Sequence, residues 1–110
     1  MAVTRPRRYD IFLANLNPTL GAEISKMRPV VIVSRDELNR HLQTVTVCPL
    51  TTQLHPHWQG RLQIVCAGKS AEIAVDQIRT IDKQRLHKKI DHLTESDATQ
   101  LRRLISEAYC

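Results

Sequence analysis

The chain is short of the residues that staple or coordinate. Its 110 residues hold three cysteines, one tryptophan, one phenylalanine and three glycines. Cys48, Cys66 and Cys110 are an odd set, too far apart in sequence for a metal knuckle, so no C-x-x-C site is indicated. Cys48 and Cys66 lie in apolar, strand-like stretches and read as buried reduced thiols, which suits a reducing cytoplasm. No apolar run exceeds that at Val30–Val33, far short of a membrane span. The basic start over Met1–Arg8 leads into no long apolar segment, so it does not read as a secretory signal. A cytoplasmic location is expected by default. The sequence also lacks H-E-x-x-H, a Gly-rich phosphate loop, G-x-S-x-G and a nucleotide fingerprint. Neither a cofactor nor a metal is therefore expected. His55 and His57 flank Pro56 on diverging sides of an extended chain, with no carboxylate nearby in sequence. They read as solvated loop histidines, and His41, His87 and His92 are isolated.

What the chain has in excess is positive charge: 16 Lys+Arg against 11 Asp+Glu, a net +5. The cations gather at Arg5/Arg7/Arg8, at Arg79/Lys83/Arg85/Lys88/Lys89 and at Arg102/Arg103. An excess of this size favours polyanionic partners through counterion release, although the same residues also serve a well-hydrated surface. The apolar content of 42% is that of an ordinary globular protein. At this length one domain, residues 1–110, is expected.

Short strands dominate the pattern. Tyr9–Asn15 is apolar enough for a strand buried on both faces. Leu16–Lys26 is a loop, marked by Asn17-Pro18 and Gly21. Pro29–Ser34 reads as a second strand with its proline first. Arg35–Leu42 reads as a short helical turn, and Thr44–Leu50 alternates as a third strand. Thr51–Gly60 is a surface loop carrying a partly exposed Trp58. Arg61–Ala67 and Ala71–Thr80 are further strands, the second opened by a turn at Gly68–Ser70. Asp82–Leu86 reads as a helical turn and His87–Ile90 as a short strand. The last segment is the clearest helix: Thr94 caps it, Asp97 sits at the third position, and Leu93 precedes the cap as a staple. Ala98, Leu101, Leu104, Ile105 and Ala108 follow at helical spacing and dock it on the sheet. Five or six strands with one or two helices predict a mainly β fold, a small, strongly bent antiparallel barrel with a C-terminal helix over one opening.

Chemistry is concentrated in Asn17–Glu23 and the segment Lys26–Ser34 that follows. A turn, a carboxylate and a guanidinium fall within a dozen residues of sequence, directly before an apolar strand that can hold them rigidly. An Arg beside a Gly-containing loop is well placed to grip a phosphate. Thr51 and Thr52 end the third strand, where they can look into a groove. Glu23, Arg28, Thr51, Thr52, Asp76, Gln77 and Arg79 form the constellation. Read singly, each has an ordinary role as turn residue, surface carboxylate or surface ion pair. Composition and spacing stop at a small basic β-barrel, with nucleic-acid binding and a merely well-hydrated surface both open.

Four ordered blocks carry a resemblance. Tyr9–Leu13 with Asn17-Pro18-Thr19-x-Gly21-x-Glu23, then Arg28–Ser34, Pro49–Gln53 and Asp76–Asp82 resemble the MazF/PemK/Kid family of toxin endoribonucleases. The resemblance implies an SH3-like barrel of the plasmid-maintenance-toxin type with appended helices, working as a homodimer. It implies metal-independent, sequence-specific cleavage of single-stranded RNA. It places the family's catalytic Arg on Arg28, its catalytic Thr on Thr51, its loop carboxylate on Glu23 and the Asp of its D-Q-x-R-T block on Asp76. The chain departs from some relatives at one position. An Arg two residues before that Asp is replaced here by Ala74, and Arg79 or another residue would have to substitute.

The implied chemistry suits these residue types. RNA carries its own nucleophile, the 2′-hydroxyl, and charge builds on the phosphate oxygens, where Arg28 and Thr51 can donate. Glu23 is the candidate base. Products with a 2′,3′-cyclic phosphate and a 5′-hydroxyl are expected. Thr52, Gln53, Asp76, Gln77 and Arg79 are candidate RNA contacts, and Trp58 a base-stacking platform. The expected partners are single-stranded RNA, a second copy of the chain, and an antitoxin whose acidic disordered tail covers the basic groove. Two other readings share a small β-barrel: a CcdB-like gyrase poison, and a non-catalytic RNA- or protein-binding barrel. The ending Ser106–Cys110 lacks the Trp-Gly-Ile of the first, and the joint presence of Glu23, Arg28 and Thr51 argues against the second.

Overall fold

The computed structural model describes residues 5–110, so the reading of the basic start falls partly on Met1–Thr4, outside the described residues. Strands β1 (Asp10–Asn15), β2 (Met27–Ile32), β3 (Thr44–Thr51), β4 (Arg61–Cys66), β5 (Lys69–Ala74), β6 (Arg79–Asp82) and β7 (Leu86–His92) pair in the order β4-β5-β3-β2-β1-β7, with β6 also on β3. Every pairing is antiparallel. Helix α1 (Asp36–His41) joins β2 to β3, and α2 (Glu95–Tyr109) closes the chain. The expected bent antiparallel architecture with a C-terminal helix is what forms.

The sheet carries a core on each face, because successive strand residues point to opposite sides. Ile11, Val31, Val33, Cys48, Leu50 and Ile73 belong to one core, which Leu93, Ala98 and Leu101 complete from the α2 side. Phe12, Ala14, Val30, Ile32, Val45 and Val47 belong to the other, completed by Leu16, Ile81 and Leu86 with Ile24 packed against it. Burial of β1 on both faces is thereby confirmed.

Two strand assignments change. Pro29 is the third residue of β2, which begins at Met27 because β1 runs on far enough to pair Asn15 with Met27. Its ring is tolerated there because the β2–β3 ladder begins only at Val30↔Pro49. The stretch Ala71–Thr80 is not one strand. It forms the end of β5, a 3-10 turn at Val75–Gln77, and the start of β6. Both flanking strands lie along β3, through Leu50↔Ile73 and Val47↔Arg79. Three residues separate those positions on β3 and six on the opposing segment, so three are ejected from the ladder as the turn.

Helix α2 begins as its sequence predicts. Thr94 Oγ1 accepts the Asp97 N–H at 3.1 Å, and Leu93 and Ala98 share a core as a staple does. Leu101 is buried and Leu104 and Ile105 are half-buried, but Ala108 is exposed. The Tyr109 hydroxyl ties the helix end to the 3-10 turn by donating to the Val75 carbonyl at 2.7 Å. Thr94→Ala removes the cap and is expected to cost about 1 kcal/mol, read as a lower denaturant midpoint at unchanged slope.

Candidate active site

The loop between β1 and β2 is strapped down at many points. Leu16 N–H donates to the Lys26 carbonyl at 2.9 Å, and Lys26 N–H to Asn17 Oδ1 at 3.1 Å. Gln77, on the ejected 3-10 turn, accepts the Ile24 N–H at 2.6 Å and donates to the Ala22 carbonyl at 3.3 Å. Arg79 donates to the Leu16 carbonyl at 3.1 Å, and Arg85 to the carbonyls of Asn15 and Asn17. Lys83 donates to the Asn39 carbonyl. Three members of the central basic cluster thus also serve as backbone clamps. Glu23 sits at the exposed crest, where one carboxylate oxygen accepts the Leu20 N–H and the other is bound to nothing among the described residues. Ala22, Glu23, Asp76, Gln77, Ile78 and Arg79 line a cleft of about 360 Å³.

Arg28 and Thr51 stand at one end of the β2–β3 pairing. Arg28 lies on β2 two residues before the first β2–β3 pair, Val30↔Pro49, and Thr51 lies on β3 two residues beyond it, where β3 pairs with β5. Both are half-buried. Arg28 Nε donates to the Ser25 carbonyl at 3.1 Å, which orients the guanidinium, and its terminal nitrogens bond to no described residue. Thr51 Oγ1 accepts the Gln53 N–H at 3.1 Å, which leaves its own proton available. Thr52 and Gln53 continue beyond it, exposed.

A polar hub lies beside Thr51, in a place the sequence reading treats only as a wetter strand face. Thr51 pairs with Glu72 of β5, and Glu72 with Gln63 of β4. Glu72 is 0% exposed. It accepts from the His55 N–H at 2.5 Å, from Arg61 Nη1 at 2.7 Å and from Gln63 Nε2. Burial alone would raise its carboxyl above the ordinary range, but these donors reverse that and hold it below. Burial likewise works against the Arg61 charge, and the Asp76 and Glu72 carboxylates outweigh it and push the guanidinium up. Arg61 Nε also donates to Asp76 Oδ1 at 2.7 Å. Arg61 stands directly across the ladder from Ala74, so a guanidinium reaches Asp76 from the neighbouring strand. Arg79 lines the cleft, and its Nη1 donates to the Leu16 carbonyl.

Trp58 is exposed as expected, and His55 is more than a solvated loop residue. Its ring stacks on Trp58 with centroids 3.8 Å apart, and the Arg61 guanidinium lies 4.9 Å from the Trp58 ring centre. Gly60, at φ 77°, makes the left-handed turn from this loop into β4, and its carbonyl accepts the Val75 N–H at 2.8 Å. The only sequence signal for this hub is the Arg61/Gln63 alternation facing a lone Glu72 in an apolar strand. Cys48 and Cys66 are buried, and Cys110 is exposed. Burial, aided by the Asp76 charge, pushes the Cys48 thiol up to about 12, so it is no nucleophile. Among the described residues no three His, Cys, Asp or Glu side chains gather as a metal-ligand set.

A family model described as PemK-like, MazF-like toxin of type II toxin-antitoxin systems matches residues 7–109. The chain belongs to this family. It is 37% identical over 95 residues to an endoribonuclease MazF of Staphylococcus epidermidis, covering 82% of this chain and 79% of that protein. The Mycobacterium tuberculosis toxin MazF-mt6 superposes with a TM-score of 0.77 at 26% identity, over 91% of this chain and 95% of that one. Deinococcus radiodurans MazF superposes with a TM-score of 0.84 over 96% of each chain; at 18% identity this is a likeness of fold. Within this MazF-like fold, Glu23, Asp76, Gln77 and Arg79 line one cleft, and Arg28 and Thr51 lie at one end of the β2–β3 pairing. Trp58 joins them through Arg61 rather than through the cleft wall.

Proposed function

We propose that this MazF-like toxin is a sequence-specific, metal-independent endoribonuclease that cleaves single-stranded RNA by attack of the 2′-hydroxyl on the adjacent phosphorus. The observation that carries the reading is the pair Arg28 and Thr51, at one end of the β2–β3 pairing, whose terminal guanidinium nitrogens and hydroxyl proton are bound to no described residue. Donors of this kind, free to bind the equatorial phosphate oxygens as they gain charge, stabilise such a transition state. The free oxygen of Glu23 takes the 2′-proton. The P–O5′ bond breaks as the P–O2′ bond forms and the leaving 5′-oxygen takes a proton from water, so the products are a 2′,3′-cyclic phosphate and a 5′-hydroxyl. Thr52, Gln53 and Asp76 read base edges, and Trp58 supplies a stacking face. Gln77 and Arg79 shape the wall by holding the loop.

The family match, which spans nearly the whole chain, supports reading residues 1–110 as one toxin domain working as a homodimer. A solved mycobacterial endoribonuclease in complex with its cognate antitoxin has this fold, with a TM-score of 0.79 at 20% identity over 94% of this chain and 93% of that one. Here the partner is an antitoxin with an acidic, disordered tail, matched to the +5 charge of the chain. Among the described residues no helix is long and apolar enough to cross a membrane. The cytoplasm is the location this reading assigns.

Digestion of diverse single-stranded RNA with EDTA present, followed by end-group analysis, tests the reading. Cleavage at a short recurring sequence with 2′,3′-cyclic phosphate ends is the expected result. No cleavage by folded protein, or cleavage only when a divalent metal is restored, overturns it.

A further inference from the structure

Arg61 takes no part in the chemistry above, yet the site is organised around it. Its side chain is 6% exposed, and each guanidinium nitrogen is engaged. Nη1 holds the buried Glu72 at 2.7 Å, Nε holds Asp76 Oδ1 at 2.7 Å, and Nη2 reaches Asp76 Oδ2 at 3.4 Å. The same group lies against Trp58, whose other stacking partner, His55, is anchored through its N–H to Glu72. A single planar cation thus joins a buried strand carboxylate, a 46% exposed carboxylate on the cleft wall and a 53% exposed aromatic ring. A structural ion pair requires Glu72 alone. The other two partners are surface groups, and fixing exposed groups costs conformational entropy that packing does not return. Asp76 would also face an incoming polyanion as a bare charge, and Arg61 offsets that repulsion while holding the carboxylate edge-on.

We propose that Arg61 is a positioning residue of the RNA site, fixing Asp76 on the cleft wall and Trp58 beside it as one preorganised unit. The proposal rests on the endoribonuclease reading. Preorganisation acts on capture, because the loop then loses less freedom when RNA binds. Loss of Arg61 therefore raises KM more than it lowers kcat. Lysine restores the charge but not the fork or the flat face against the ring, so Arg61→Lys falls between wild type and Arg61→Gln.

The experiment compares wild type, Arg61→Gln and Arg61→Lys on a single-stranded RNA that the wild type cleaves. Acrylamide quenching of Trp58, the sole tryptophan, is measured on the same samples. Arg61→Gln is expected to raise KM about tenfold, the order of one lost stacked base, with a smaller change in kcat and with Trp58 more easily quenched. A folded Arg61→Gln with wild-type KM and quenching overturns the proposal. So does a fall in kcat at unchanged KM, which would put Arg61 in the chemical step. If circular dichroism shows Arg61→Gln unfolded, Arg61→Lys takes its place, since it keeps a positive charge beside the buried Glu72. Raised KM and quenching then support the proposal, and wild-type values for both overturn it. If the wild type cleaves no RNA the enzyme reading falls, while the quenching comparison still decides whether Arg61 positions Trp58.

Discussion

Arg28→Ala is expected to lower kcat for RNA cleavage by about 10²–10³, the usual cost of removing one preorganised oxyanion donor. The loss should be in turnover, because the guanidinium strengthens its hold only as charge develops on phosphorus. The fold should survive: Arg28 stands near the open end of β2, half-buried, and among the described residues its side chain bonds only to the Ser25 carbonyl. Single-turnover cleavage with excess enzyme separates this from weaker binding. A variant that keeps its thermal midpoint and also its single-turnover rate would remove Arg28 from the mechanism. Arg28→Lys should recover only part of the rate, since an ammonium cannot present the planar fork.

The second large effect is on stability. Glu72→Ala is expected to cost about 3 kcal/mol, the low end for breaking a buried ion pair. The low end applies because Arg61 keeps its bonds to Asp76. The His55 N–H and the Gln63 amide also lose their acceptor. Urea unfolding at neutral pH reads the difference directly, and a change within experimental error would mean that the hub relaxes freely. The pH dependence has a definite sign. Burial raises the Glu72 carboxyl, the bonds from His55, Arg61 and Gln63 lower it, and the net is downward. Its contribution is therefore fully present above the unfolded carboxyl value of 4.5 and lost as pH falls through the lower folded value. The gap between wild type and Glu72→Gln should narrow on that acid limb.

Elements whose evidence is local are legible in the sequence. Helix α2 is announced by Thr94, Asp97 and the spacing of Ala98, Leu101, Leu104 and Ile105, each reporting on a neighbour within one or two turns. The alternation in β3 and the two-sided burial of β1 are legible for the same reason. The break at Val75–Gln77 is not. Nothing in Ala71–Thr80 punctuates a strand, and the turn exists because β3 is met in two registers three residues apart. That mismatch belongs to the pairing of distant strands.

The same division runs through the site. Arg28 and Thr51 are visible because each ends an apolar strand, and Glu23 because it closes a turn-rich loop. The resemblance joins these positions to one chemistry. Only the fold decides that Gln77 holds a loop more than fifty residues away in sequence and that Arg79 and Arg85 clamp its base. Only the fold likewise sets Arg61 opposite Ala74, where it binds Asp76. Local propensity, hydrophobic period and charge act over a few residues and are written along the chain. Hydrogen bonds between polar groups from remote strands depend on register, and register is settled when the two cores close on either side of the sheet.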